Sequence, residues 1–195
     1  MNDSWDECAE EWDSNEEAIL YSQKAFKTLT NNVTLNSLTV LDFGCGTGLL
    51  TEQMSPIANN IVALDSSEKM VSILNNKMLS NVTTLSESLS KDAISKNTSL
   101  QTPFDLIVAS SVLGFIPEYK STLVLLKSLL APEGILVQWD WLSPTENSDF
   151  GLTEAKVKQN FIDCGFEVIS INKSFSQTND KGTMTVLMAI AKNQS

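Results

Sequence analysis

Five short apolar runs begin near Leu38, Asn60, Asn81, Phe104 and Gly134, about 20 to 30 residues apart. Helical patterns fill the gaps. That spacing is the length of a strand–helix unit, and a chain built this way folds as an α/β protein around a mostly parallel sheet. Helices are expected at Thr47–Ser55, Ser67–Met78 and Glu118–Leu130, the last with Leu123, Leu126 and Leu130 on one face. Ser66 or Ser67 supplies the start of the second, and Pro132–Glu133–Gly134 the turn into the fifth strand. The polar stretch Leu89–Pro103 carries no clear pattern.

The two ends differ. Trp5 and Trp12 are two helical turns apart, and Ala18, Tyr21, Ala25 and Leu29 continue an apolar stripe, so residues 1–30 are expected to be a helical segment that packs on something. After a helix near Thr153–Cys164, the runs Phe166–Phe175 and Thr183–Ala191 are joined by SQTNDKG, which predicts an antiparallel hairpin at one edge of the sheet. With 195 residues and no linker, the chain is expected to be a single domain: a segment 1–30, a βα core 38–141, and a closing helix and hairpin 153–192.

Composition narrows the chemistry. All 13 basic residues are lysines, and there is no Arg and no His. Histidine bases, Ser/His or Cys/His nucleophile pairs, His-ligated metals and arginine clamps on phosphate are therefore excluded, and no metal site is expected. A net charge of −11 argues against a standing grip on nucleic acid. Cys8, Cys45 and Cys164 are odd in number and far apart, as suits reduced thiols. The acidic start and the lack of an apolar stretch of about 18 to 20 residues predict a cytoplasmic protein without a membrane span. Eight of the 24 acids fall in residues 1–17, most of them expected on a solvated face.

The richest motif is Leu41-Asp42-Phe43-Gly44-Cys45-Gly46-Thr47-Gly48, which closes the first strand and opens a helix. Glycines there allow a sharp turn and a close backbone approach, and a helix start offers free N–H groups. No Gly-Lys-Ser/Thr follows, so it is not a P-loop, and Leu49 stands where a dinucleotide fingerprint needs its third glycine. Asp65 ends the second strand. Its carboxylate could take two ribose hydroxyls, or it could cap the helix that follows, and the glycine loop beside it favours the first role.

LDFGCGTG, ALDSSEKM, FDLIVASSVLGFIPE and LLAPEGILV, in that order and spacing, resemble the class I S-adenosylmethionine-dependent methyltransferases over roughly residues 5–192. The resemblance implies a Rossmann-like, mostly parallel seven-stranded sheet with an antiparallel C-terminal hairpin and helices on both faces. It implies S-adenosyl-L-methionine as cofactor, with S-adenosyl-L-homocysteine as product. Gly44, Cys45, Gly46 and Gly48 would form the loop against the methionine portion, and Asp42 would reach its amino group. Asp65 would hold the ribose, Ser66 and Met70 would wall the adenine, Glu87, Ser88 or Leu89 would meet the adenine amine, and Ser110 would face the cleft. Relatives often carry a His within VLGFIPE, where this chain has Gly114 and Phe115, so any mechanism using it is closed here.

Methyl transfer needs alignment and dryness more than acid–base help. Tyr21, Tyr119, Glu118, Asp140 and the acids of the N-terminal segment are the candidates should a base be required, with Tyr21 and Asp140 carried forward. Strand alternation is expected to send one of Trp139 and Trp141 into the core and the other outward. The short Leu142–Leu152 link leaves little room for a substrate domain, so the acceptor would meet the N-terminal segment, a lid over the methionine end, and the strand-end loops. The expectation is an enzyme acting on a small neutral or cationic molecule, with no protein partner indicated. The alternative is a catalytically silent S-adenosylmethionine-binding regulator or scaffold.

Overall fold

The computed structural model describes residues 2–145, 150–179 and 182–194. Seven strands form one sheet: β1 (Thr39–Phe43), β2 (Asn60–Asp65), β3 (Val82–Ser86), β4 (Phe104–Ser110), β5 (Leu130–Trp141), β6 (Phe166–Asn179) and β7 (Gly182–Asn193). Their order is β3-β2-β1-β4-β5-β7-β6, with β7 antiparallel to both of its neighbours and the other pairs parallel. The order reverses between β1 and β4, so a crevice opens beyond the carboxyl ends of those strands.

The central strands read as unbroken apolar runs because both faces are covered. On one face Val40, Leu106, Val108, Val137 and Trp139 pack under α2 (Glu16–Asn32) and α3 (Leu49–Met54). On the other, Leu41, Phe43, Ile107, Ala109 and Leu136 meet α6 (Tyr119–Leu129) and α7 (Glu154–Asp163). Strand neighbours thus alternate between the two cores. α4 (Glu68–Asn76) starts at Ser67, whose hydroxyl accepts from the Met70 N–H. α7 starts at Thr153, which accepts from the Lys156 N–H. The patternless stretch Leu89–Pro103 forms α5 (Lys91–Lys96), capped by Ser90, and one short 3-10 turn.

Four expectations need correction. The N-terminal stripe is not one helix but two, α1 (Asn2–Trp12) and α2, because the Asn15 side chain accepts from the Glu17 and Ala18 N–H groups and restarts the helix. Pro132–Glu133–Gly134 is no turn before β5 but an irregularity within it: Phe104 pairs with Leu130 and Leu106 with Ile135, and Glu133 takes φ +67° in the extra length. The hairpin strands zip further than expected, Asn179 pairing with Gly182, which leaves Asp180 and Lys181 of the link outside the described residues. Finally, Trp139 and Trp141 share a face, since residues two apart on a strand must. They differ in depth instead. Trp139 is fully buried and its indole N–H donates to the Thr28 hydroxyl at 3.0 Å, whereas Trp141 is half-buried at the strand end.

α2 carries Tyr21 to the crevice and is anchored there by Ala25 and Leu29, both wholly buried. Leu29→Ala should cost about 2 to 5 kcal/mol in urea unfolding, with the fold retained by circular dichroism.

Candidate functional site

The crevice at the strand ends is a cavity of about 510 Å³, in the ordinary range for a small-molecule site. Its floor is the loop after β1. Gly44 and Cys45 both donate N–H to the Leu64 carbonyl, at 2.8 and 3.2 Å, and Gly46 donates to Asp65 Oδ2 at 2.8 Å. The loop is therefore stitched to the end of β2 and held with its backbone against the cavity. Gly44 (φ +72°) has no room for a Cβ, which would fall 2.4 Å from Val112 Cγ2. Gly46 (φ +54°) is different: a Cβ there would meet only Met70 Sδ, at 3.9 Å, and would project into the cavity. This bare backbone is the cradle that a ligand would lie against.

Of the residues expected to hold the cofactor, Asp42, Gly44, Cys45, Gly46, Asp65, Ser66, Met70, Glu87, Ser88, Leu89 and Ser110 all line this one cavity. Gly48 does not. It sits at the start of α3 with φ +85°, where a Cβ would collide with Leu74 Cδ1 at 2.3 Å, so its place is in the packing of α3 against α4.

The two readings of Asp65 are compatible. Oδ1 accepts from the Ser67 N–H at 2.9 Å, leading into α4, and Oδ2 takes Gly46. Each oxygen keeps a further lone pair, so the carboxylate is oriented without being used up. Glu87, Ser88 and Leu89 line the recess beyond Asp65, and the Glu87 carboxylate accepts from the Asn97 side-chain amide. Asp42 is 1% exposed and accepts from the Thr51 hydroxyl at 2.6 Å. Burial pushes its carboxyl up from 3.8 to about 7, eased by Thr51 and raised again by Asp65. A bound ammonium would bring it back to the charged form. The Cys45 thiol is pushed well up by burial first and then by Asp42 and Asp65, which makes it an inert wall and not a nucleophile.

α1 lies across the mouth. Asp6 accepts from the Ser67 hydroxyl, and Asp13 accepts from the Thr47 hydroxyl while pairing with Lys77 at 2.9 Å. Two of the N-terminal acids thus dock the helix onto the loops that frame the floor. Trp5 and Trp12 meet edge to face, with centroids 5.7 Å apart, and both line the cavity.

The candidate bases separate. Tyr21 and, of the N-terminal acids, Glu17 line the cavity; Asp140, Tyr119 and Glu118 do not. Asp140 faces away from Trp139 and Trp141, 1% exposed, and accepts from the Gly114 N–H at 2.7 Å and from the Gln138 amide at 3.0 Å. Gln138 in turn accepts from the Tyr119 hydroxyl at 2.9 Å. Asp140 therefore joins a buried network behind the wall, where β-sheet alternation puts it, and has no route to a ligand in this cavity. Gly114 is part of that network: a Cβ there would stand 2.9 Å from Asp140 Oδ1. Sequence reasoning missed Ser111, Val112, Phe115 and Gln177 as lining residues. A signal for Ser111 was its place after the fourth strand; Gln177 gave none.

Burial raises Asp140 from 3.8 to about 7, against the lowering by Gly114 and Gln138. A folded-state pKa above the unfolded one contributes stability that is full below 3.8 and lost as pH rises to about 7. Asp140→Asn removes this loss, and the network can accept it with Gln138 turned over, its amide donating to Tyr119. The variant should therefore gain stability relative to the parent as pH rises through that window and hold a constant difference above it, read by urea unfolding at a series of pH values.

A family profile described as "Methyltransferase domain" matches residues 13–176. The chain is 33% identical over 137 residues to a trans-aconitate 2-methyltransferase of Escherichia coli O1:K1 / APEC, covering 67% of this chain and 50% of that protein. It is 29% identical over 124 residues to an uncharacterized methyltransferase of Schizosaccharomyces pombe, covering 60% and 44%. It spans about half the length of these curated relatives. Among solved structures, the DhpI–SAH complex shares the fold with TM-score 0.73 at 17% identity, over 98% of this chain and 94% of that one. With the profile covering most of the sheet and the whole glycine loop, the chain belongs to the class I S-adenosylmethionine-dependent methyltransferase family.

Proposed function

We propose that this chain transfers a methyl group from S-adenosylmethionine to a small neutral or cationic acceptor. The observation that carries this reading is the cavity floor: the bare backbone at Gly46, flanked by the carboxylates of Asp42 and Asp65 at the ends of adjacent strands. When bound, the cofactor supplies an electrophilic methyl group on a sulfonium, already activated for in-line displacement.

In this reading Asp65 takes the ribose hydroxyls with the lone pairs left by Gly46 and Ser67. Asp42 takes the amino group, directly or through water, and Gly44, Cys45 and Gly46 lie along the methionine portion. Ser66 and Met70 wall the adenine, Glu87, Ser88 or Leu89 meets its amine, and Ser110 faces the cleft. Residues 38–141 carry the cofactor, 153–192 complete the sheet, and α1 with the start of α2 closes the mouth as a lid that excludes water. The acceptor's charge follows from the lining: its charged members are Glu17, Asp42, Asp65 and Glu87, and none of the described lining residues is a lysine. An anionic acceptor would find no counter-charge there. No helix of the described residues is long and apolar enough to cross a membrane.

S-adenosylhomocysteine should raise the melting temperature, the stabilisation growing with the logarithm of one plus its concentration over Kd, and NAD should not. Asp65→Ala should weaken binding by about 1 to 3 kcal/mol in calorimetry, and Gly46→Val should weaken it further by filling the cradle. Equal stabilisation of parent and both variants would remove the reading. Binding without labelled methyl transfer into any cell-extract fraction would favour the silent binder.

Deleting residues 1–14 takes away α1 and its anchors on Thr47 and Ser67. Affinity for S-adenosylhomocysteine should fall while far-ultraviolet circular dichroism still reports the sheet; unchanged affinity would make α1 a packed helix only.

A further inference from the structure

Above the glycine loop Trp12, Trp5, Phe115, Trp141 and Tyr21 line the cavity, in an arc of ring contacts that Phe150 links from outside the lining. Trp12 meets Trp5, Trp5 meets Phe115, Phe115 meets Phe150, Phe150 stacks on Trp141, and Trp141 meets Tyr21, with successive centroids between 5.3 and 6.3 Å apart. The Tyr21 side chain is 7% exposed, and its hydroxyl is the only fully buried side-chain polar atom among the described residues without a hydrogen-bond partner. Ser111 is its polar neighbour at the cavity edge, close enough to affect it but not to satisfy it. Ser111 itself is held at φ +58°, with its N–H on the Trp139 carbonyl at 2.7 Å. A buried hydroxyl left unsatisfied costs free energy, and such a group at a cavity wall is a place for a ligand atom.

We propose that Tyr21 and the aromatic arc form the acceptor subsite, and that the acceptor is a ring-bearing primary or secondary amine whose N–H is accepted by the Tyr21 hydroxyl. This rests on the cavity holding S-adenosylmethionine. The choice of an amine follows from what the subsite lacks. A neutral alcohol or phenol must lose its proton before or during attack, and no base stands at the arc. Burial, with a contribution from Asp140, holds the Tyr21 hydroxyl well above its ordinary pKa of 10, so it stays protonated. Asp140 is behind the wall, and Glu17 stands exposed at the rim. An ionised oxygen would meet carboxylates and no lysine in the described lining, with only the sulfonium itself to favour it.

An amine needs neither: its ammonium form, the main one near neutral pH, gives one proton to water before attack, a far easier loss than that from an alcohol, and the neutral amine then carries a free lone pair. Its nitrogen lone pair forms the new N–C bond as the methyl carbon's bond to sulfur breaks, that electron pair remaining on sulfur, and the surplus proton on nitrogen then leaves to water. The positive charge that nitrogen gains is favoured by the ring faces and by the acidic lining. An N–H donated to Tyr21 fixes the nitrogen while leaving its lone pair free to point at the methyl group. Tyr21 is thus a specificity-determining residue.

The test is calorimetry on the protein saturated with S-adenosylhomocysteine, using benzylamine, benzyl alcohol and phenylacetate, which match in size and differ in charge. Benzylamine should bind tightest and phenylacetate weakest. Tyr21→Phe should weaken benzylamine about fivefold or more, leave phenylacetate unchanged, and melt no lower than the parent because it deletes an unsatisfied buried hydroxyl. Phenylacetate binding as well as or better than benzylamine overturns the proposal. So does failure of benzylamine to bind the loaded protein, or a Tyr21→Phe variant with undiminished benzylamine affinity. Affinity for S-adenosylhomocysteine is measured first in parent and variant: its absence in the parent removes the cofactor reading, its loss in the variant alone places Tyr21 on the cofactor and overturns the proposal, and its retention in both confines any failure to the acceptor.

Discussion

The hydrogen bonds that tie the loop after β1 to the end of β2 set the geometry of everything around them. Two consecutive N–H groups, of Gly44 and Cys45, converge on the Leu64 carbonyl, and the next, of Gly46, goes to Asp65. This turn is available only to residues tolerant of positive φ, which is why glycines stand at 44 and 46. It leaves a stretch of backbone with no side chain between it and the cavity, and it fixes the Asp65 carboxylate at the rim. α3 and α4 then start on either side, and α1 docks onto their first residues through Asp13 and Asp6.

Around that floor the protein keeps two carboxyl groups, Asp42 and Asp140, in places where burial makes ionisation costly. They sit on opposite faces of the sheet, and their surroundings give them different work. Asp42 has one hydroxyl partner and a cavity in front of it. Asp140 is boxed in by Gly114 and Gln138 and ties the turn after β4 to β5. The same group near the ends of two strands that flank β4 faces the cavity in one case and forms a structural clasp in the other. The difference lies in which face each carboxylate points to.

The loops expected to hold the cofactor, which line one side of the cavity, were legible in the sequence because each is local. Asp42 to Gly48 form one continuous loop, Asp65 to Met70 another, and Glu87 to Leu89 a third, each placed at a strand end by short-range patterning. The aromatic side of the cavity was legible only as a region, the N-terminal segment and the strand-end loops. Trp5, Tyr21, Ser111, Phe115, Trp141 and Gln177 come from five separate parts of the chain, and no spacing announces that they meet. The break between α1 and α2 was missed for a related reason: an apolar stripe read across Asp13–Asn15 looks continuous, while the Asn15 cap restarts the helix and lets α1 swing over the mouth.

By itself the sequence determined the class of fold and the position of the crevice, since recurring apolar runs with helices between them close into a parallel sheet and three glycines after the first strand open its loop. It also determined what chemistry is absent, because a chain without Arg or His cannot supply those groups however it folds. Tertiary structure alone decided which side chains face the crevice. Alternation turned Asp140 away and put Trp139 and Trp141 on one face, and packing at distance brought Tyr21 against Trp141 and Phe175 with its hydroxyl unsatisfied. Local pattern sets backbone conformation, but a side chain's surroundings come from residues remote in sequence, and those are known only once the layers have closed on one another.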